Sequence, residues 1–158
     1  MKVLLTGAAG QLGQALIGRM PDGIELVASS RSGGNGLVAL DLADAAACRQ
    51  LVEEQRPDWV LNAGAYTAVD KAEAEPELAH AVNGGAPRAF AEAIQAHGGR
   101  MLQLSTDFVF NGQQGSPTGW IKAAIPWGST APARPAERRR WKSFLGPVAK
   151  VWCCAPAG

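Results

Sequence analysis

No stretch of the 158 residues approaches the roughly 20 consecutive apolar side chains of a membrane span. The amino terminus also lacks the basic, then apolar, then small-residue order of a signal peptide. It passes from Met1-Lys2 directly into Val3-Leu4-Leu5, so a cytoplasmic protein with no membrane partner is expected. Cysteine is scarce. There are three, and Cys153 and Cys154 are adjacent, which suits neither a disulfide framework nor metal ligation; no metal is expected. The two histidines, His80 and His97, have no partners at metal-binding spacing and read as surface or helix-end residues. Tyrosine is scarcer still, with Tyr66 alone. The bulk composition is ordinary, 47% hydrophobic and 18% charged, with enough chain for one domain and a real core.

Net charge is nearly absent as well, at +1, but that value hides two opposed halves. Residues 1–117 hold 8 basic and 13 acidic side chains, a net of −5, whereas residues 118–158 hold 7 basic side chains and only Glu137, a net of +6. The later stretch also contains four of the five tryptophans. A change of sign and composition at one point along the chain requires an explanation.

The most informative stretch is Met1 to Gly13. Val3-Leu4-Leu5 is apolar without alternation, as a strand buried on both faces requires. Gly7, Gly10 and Gly13 follow at three-residue spacing, and Gln14-Ala15-Leu16-Ile17 opens a helical pattern. Glycines at a strand-to-helix turn let backbone N–H groups approach a pyrophosphate, and the helix N-terminus adds unpaired donors and partial positive charge. The spacing is G-x-x-G-x-x-G rather than G-x-G-x-x-G, and the alternative is a tight turn with no ligand. Its place between strand and helix favours the phosphate site.

The first helix is expected from about Gln11 to Arg19, ending before Pro21-Asp22-Gly23. A second strand is expected over Ile24–Ala28, ending at Ser29-Ser30-Arg31-Ser32. Arg31, with Ser30 and Ser32, suits the 2′-phosphate of NADPH where an NAD site would carry a carboxylate. Gly33 to Gly36 reads as a loop and Leu37–Leu40 as strand three. Asp41 then stands at a strand end, able to accept from an adenine amino group, with Leu42 over the ring. Asp44 is expected to cap a helix over Ala45–Glu54. Strand four is Trp59–Asn62, and the small residues Ala63, Gly64 and Ala65 after it leave room for ribose and phosphates. A helix is expected from about Pro76 through Val82, an interruption at Asn83-Gly84-Gly85-Ala86-Pro87, and a further helix from Arg88 to His97. Strand five, Met101–Leu104, leads into Ser105-Thr106-Asp107. There a hydroxyl pair and a carboxylate suit either carbonyl chemistry or plain strand capping. The alternation predicts an α/β fold, a Rossmann-like doubly wound parallel sheet.

TGAAGQLG, DLAD, NAGAYTAVDKAEAEP and STDFVFNG together resemble the extended short-chain dehydrogenase/reductases, and most closely their dTDP-4-dehydrorhamnose reductase family. The resemblance covers residues 1–117, expected to be a partial NAD(P)-binding domain. It implies NADPH as cofactor, with NADH also possible, a dTDP-sugar substrate and a homodimer in the intact family. It puts Gly10, Gln11 and Leu12 at the pyrophosphate, beside the turn glycines Gly7 and Gly13, and Asp41 and Leu42 at the adenine. Ala63, Ala65, Tyr66, Thr67 and Ser105 fall further along the cofactor. Thr106 and Asp107 fall on the sugar nucleotide, Thr106 in the catalytic hydroxyl role. Gly64, where the family tends to have alanine, and Gly84-Gly85, within a helix it usually continues, are departures.

The family then requires Tyr-x-x-x-Lys, in which tyrosine protonates the carbonyl oxygen and lysine lowers the tyrosine pKa. Here the only tyrosine is followed four residues later by Asp70. Residues 118–158 show little periodicity, and an irregular or disordered tail without domain character is expected. Arg138-Arg139-Arg140 among tryptophans would suit a nucleic-acid arm. A shifted reading frame accounts for more, so no nucleic-acid partner is expected. Codons for Ile125 to Arg134, read from each third base, permit P-L-G-V-Y-G-A-S-K, which contains Tyr-x-x-x-Lys. Trp152 to Gly158 permit V-L-R-T-G-W, similar to the family's next strand. Trp127 and Trp152, each with a single codon, anchor both strings, and the lost base falls near Pro117. A truncated, inactive reductase is the expectation, with a non-catalytic NADP-binding or regulatory module as the alternative.

Overall fold

A computed structural model describes residues 1–105 and 149–153 of the chain. The chain opens with strand β1 (Lys2–Thr6), helix α1 (Gln11–Ile17), β2 (Glu25–Ser30), β3 (Val38–Ala39), α2 (Ala45–Gln55) and β4 (Trp59–Asn62). It continues with α3 (Val69–Ala72), α4 (Pro76–His80), a π-helical turn (Ala81–Gly85), α5 (Ala86–Gln95), β5 (Arg100–Ser105) and β6 (Ala149–Cys153). The strands form one sheet in the order β3-β2-β1-β4-β5-β6, and every pairing is parallel.

Unbroken apolar runs become strands here because both faces of the sheet are covered. Leu4 and Leu5 are adjacent in sequence and fully buried, yet they point to opposite sides. Leu4 joins Val60, Met101, Leu51, Val52, Phe90 and Ile94 in the larger cluster, under α2 and α5. Leu5 joins Ala8 and Ala28 in a smaller one, against which Leu16 of α1 packs. Cys48 belongs to the larger cluster. Burial, followed by the nearby Asp44 and Asp41 carboxylates, pushes its thiol up to about 12, so it serves as a packing residue rather than a nucleophile.

Helices α2 and α5 are joined at their surface by Glu92, which accepts hydrogen bonds from Arg88 (2.8 Å) and Arg49. The Arg88 bond, then the Arg49 bond, holds the Glu92 carboxyl below its ordinary value. A lowered carboxylate pKa stabilises the fold at neutral pH, and that contribution is lost as pH falls through the lowered value. Because both arginines are substantially exposed, Glu92→Ala is expected to cost only about 0.5–1 kcal/mol in urea unfolding at pH 7. The gap between variant and parent should close on acidification.

Several boundaries differ from the sequence expectation for local reasons. Strand β2 continues through Ser29 and Ser30, because the Ser29 carbonyl accepts from Ala8 N–H (2.9 Å) and the Ser30 carbonyl from Leu40 N–H (2.8 Å). No helix joins β2 to β3. The connection is a loop with positive φ at Gly33, Gly34, Asn35 and Gly36, and only Val38–Ala39 remains as strand. The expected break at Asn83–Pro87 is instead a π turn leading directly into α5, so that the helix continues through Pro87 without interruption. Asp44 caps α2 as expected, accepting from Ala46 and Ala47 N–H, both at 3.0 Å. The tail is not irregular throughout. Ala149–Cys153 pairs along the whole of Met101–Ser105, next to the residues whose shifted reading gives the family's next strand.

Candidate functional site

Parallel strands bring all their carboxyl ends to one edge of the sheet. The order reverses between β1 and β4, the switch point at which open α/β sheets bind ligands. Two glycines meet there. Gly7, just after β1, has φ +67, and a Cβ on it would lie 2.6 Å from Gly64 N. Gly64, after β4, lies beside Leu42, and a Cβ there would meet Leu42 Cδ1 at 2.4 Å. The departure at Gly64 thus goes with the placement of Leu42 against it.

The glycine turn has a distinct reason for each member. Gly13 packs α1 onto the turn so closely that a Cβ would stand 2.3 Å from the Gly7 carbonyl oxygen. Gly10 is exposed, with ordinary backbone angles and only the Gly7 oxygen within contact, at 3.3 Å; here the missing Cβ leaves the helix mouth open. Gly10 N–H is bonded to the Gly7 carbonyl at 3.0 Å. No side chain caps α1, and the first helical N–H to find a backbone acceptor is that of Gln14, on the Gly10 carbonyl at 2.9 Å. Among the described residues, the amide groups of Gln11, Leu12 and Gly13 therefore present donors to a bound anion.

At the far side of β2, Arg31 and Asp41 come together, with Nε 3.8 Å from Oδ1. Both are more than half exposed, so the guanidinium is available to a ligand while the carboxylate restrains it. Asp41 Oδ1 also accepts from Ala43 N–H at 2.9 Å, fixing the carboxylate at the end of β3. Ser30 is buried, and its hydroxyl accepts from Gly33 N–H at 3.1 Å, closing the turn that follows Arg31.

Beyond β4 come Ala63, Ala65, Tyr66 and Thr67, in the segment that leads from the switch point to α3. Tyr66 is half-buried, and its phenol donates to Glu75 at 2.8 Å. Partial desolvation, then the Glu75 carboxylate, raises the phenol above its ordinary value. A tyrosine activated by lysine moves the other way, and it is Glu75 that faces the Tyr66 phenol. Ser105 ends β5 opposite Cys153. Thr106 and Asp107 lie outside the described residues.

Two features went unnoticed in the sequence. One is a polar ladder across the ends of three strands in matched register. Thr6 Oγ1 donates to Asn62 Oδ1, Asn62 Nδ2 to Gln103 Oε1 (2.7 Å), and Gln103 Nε2 to the Leu104 carbonyl (2.6 Å). Thr6 and Asn62 are buried, and pairing offsets their desolvation. A polar residue near the end of each apolar strand was the available signal. The other is Asn83, which lies in the π turn and hydrogen-bonds the backbone of Tyr66.

The chain is similar in sequence and in fold to proteins of one family. A dTDP-4-dehydrorhamnose reductase of Streptomyces griseus is 48% identical over 115 residues, 72% of this chain and 36% of the relative. The crystal structure of a hypothetical dTDP-4-dehydrorhamnose reductase from Sulfolobus tokodaii superposes with a TM-score of 0.83 at 29% identity, over 98% of this chain and 56% of that one. The Bacillus anthracis dTDP-4-dehydrorhamnose reductase, solved in complex with NADP, superposes with a TM-score of 0.76 at 28% identity, over 98% of this chain and 52% of that one. The chain thus spans about a third of the curated relative and about half of each solved structure. The RmlD substrate binding domain family matches residues 1–138, and the chain belongs to that family.

Proposed function

We propose that this chain is the dinucleotide-binding half of a dTDP-4-dehydrorhamnose reductase, able to bind NADPH but not to complete the reaction. The observation that carries the reading is the glycine turn at the switch point, with Gly7 and Gly13 closed against backbone and Gly10 open at the helix mouth. In the intact family the bound cofactor supplies a hydride to the 4-keto carbon of dTDP-4-dehydro-6-deoxy-L-mannose, giving dTDP-L-rhamnose. This chain's own part is to hold the pyrophosphate with the amides of Gln11, Leu12 and Gly13, and the adenine with Asp41 and Leu42. Ala63, Ala65, Tyr66, Thr67 and Ser105 flank the remainder. Thr106 and Asp107 are assigned to the sugar nucleotide, Thr106 as the hydroxyl on the substrate oxygen. A cytoplasmic site of action accompanies this reading.

Completion requires Tyr-x-x-x-Lys, which is absent from the sequence. A base lost near the Pro117 codon explains that absence, the charge reversal and the recovered string P-L-G-V-Y-G-A-S-K in one step. Resequencing across the Gly115–Gly119 codons tests it. An extra base there supports the reading, and an unbroken frame with no hidden Tyr-x-x-x-Lys refutes it.

Cofactor choice falls to Arg31. A guanidinium matches a phosphate dianion with charge-assisted hydrogen bonds, while NADH offers only a hydroxyl at that point. Arg31→Ala is expected to weaken NADPH about tenfold or more and leave NADH nearly unchanged. Fluorescence titration with each cofactor measures this, and equal losses for both would remove Arg31 from the 2′-phosphate.

A further inference from the structure

We infer that Asn83 is a positioning residue for the dinucleotide, acting through the backbone of Tyr66; the inference rests on the cofactor-binding reading above. Asn83 Oδ1 accepts from Tyr66 N–H at 2.8 Å, and Asn83 Nδ2 donates to the Tyr66 carbonyl at 3.0 Å. One side-chain amide thus satisfies both backbone groups of a single residue, as a neighbouring strand would. Tyr66 lies just beyond β4, in an irregular segment that no strand among the described residues pairs, so its backbone path must be fixed by other means.

The π turn explains how a helix can supply such a clamp. Wider i→i+5 turns occur mostly as single turns inside α-helices, frequently at functional sites. Here the turn covers Ala81–Gly85, and Gly84-Gly85, poor helix formers, follow Asn83 directly. Val82 and Ala86 on either side are buried, so the turn is anchored to the core while half-buried Asn83 reaches the loop. The held segment begins at Gly64, whose backbone touches the Gly7 turn. Asn83 therefore connects the packed helix to residues on both sides of the switch point without itself meeting the ligand. Glu75 holds the other end of Tyr66 through the phenol, leaving the main chain to Asn83.

The test uses the full 158-residue chain, with Asn83→Ala, Asn83→Asp and Glu92→Ala. Asn83→Asp keeps the acceptor for Tyr66 N–H and replaces the donor. Glu92→Ala loosens the same helical layer away from the loop and serves as the stability control. Amide exchange at Tyr66, followed by NMR, reads the clamp directly, and NADPH titration reads its consequence. Asn83→Ala is expected to accelerate Tyr66 exchange and weaken NADPH about tenfold, the loss of one to two hydrogen bonds' worth of ordering. Asn83→Asp should retain more of the amide protection and lose less affinity, and Glu92→Ala should leave both readouts unchanged. Parent-like NADPH affinity in folded Asn83→Ala overturns the inference while the cofactor reading stands. Failure of the parent chain to bind NADPH, with Tyr66 protected and dependent on Asn83, overturns the cofactor reading and with it the positioning role.

Discussion

The purified 158-residue chain is expected to oxidise NADPH, in the presence of dTDP-4-dehydro-6-deoxy-L-mannose, at least about 10²-fold more slowly than the Streptomyces griseus relative, the minimum usually lost with a general acid. As hydride reaches the keto carbon, the electron pair of the carbonyl moves to oxygen, and the alkoxide must be protonated in the same step. Tyr66 lacks the lysine that would prepare it for this. Its phenol is bound to Glu75 and raised above its ordinary value, and Asp70, not lysine, stands four residues on. Restoring one base at the Pro117 codon should create Tyr-x-x-x-Lys, and turnover would need in addition the part of the relative's length that this chain does not span. Turnover of the chain as it stands at the relative's rate would mean that a different proton donor operates.

The second large effect separates fold from ligand within the glycine turn. Gly7→Ala combines a left-handed backbone, which costs an L-residue about 1–2 kcal/mol, with overlap against the Gly64 backbone at 2.6 Å. Overpacking against backbone adds about 1–3 kcal/mol. Against a total of about 5–15 kcal/mol for an ordinary domain, this loss of about 2–5 kcal/mol is expected to lower the urea midpoint markedly. Gly10→Ala should behave in the opposite way. Its backbone angles suit alanine and the Gly7 oxygen, 3.3 Å away, need give only slightly, so urea unfolding should change far less than in Gly7→Ala. The new methyl group stands at the mouth of α1, and NADPH affinity should fall at least about tenfold, because the pyrophosphate must approach the backbone there. A Gly10→Ala chain that binds as tightly as the parent would place the ligand elsewhere.

The features legible in sequence were those set by local chemistry. Val3-Leu4-Leu5 and Trp59–Asn62 were readable because a strand covered on both faces needs apolar residues without interruption, and Leu4 and Leu5 do face opposite cores. Asp44 was readable because a short acceptor before an alanine run has one favourable place. What escaped depends on partners distant in sequence. The Thr6–Asn62–Gln103 ladder exists only once three strands are in register. Asn83 reads as a breaker because glycines follow it, although the helix continues through a π turn in which Gly85 keeps ordinary helical angles. Residues 149–153 appeared patternless by alternation, yet Val151 and Trp152 suit a strand at the side of β5. Ser30, read beside Arg31 as a phosphate contact, has a further part that the sequence does not show, since its hydroxyl accepts from Gly33 N–H in the turn.

Calorimetric titration of the full chain with NADPH, with folding checked by circular dichroism, bears most directly on the account. One saturable site, tighter for NADPH than for NADH and weakened by Gly10→Ala, is the predicted outcome. A folded chain that takes up neither nucleotide at millimolar concentration would contradict it.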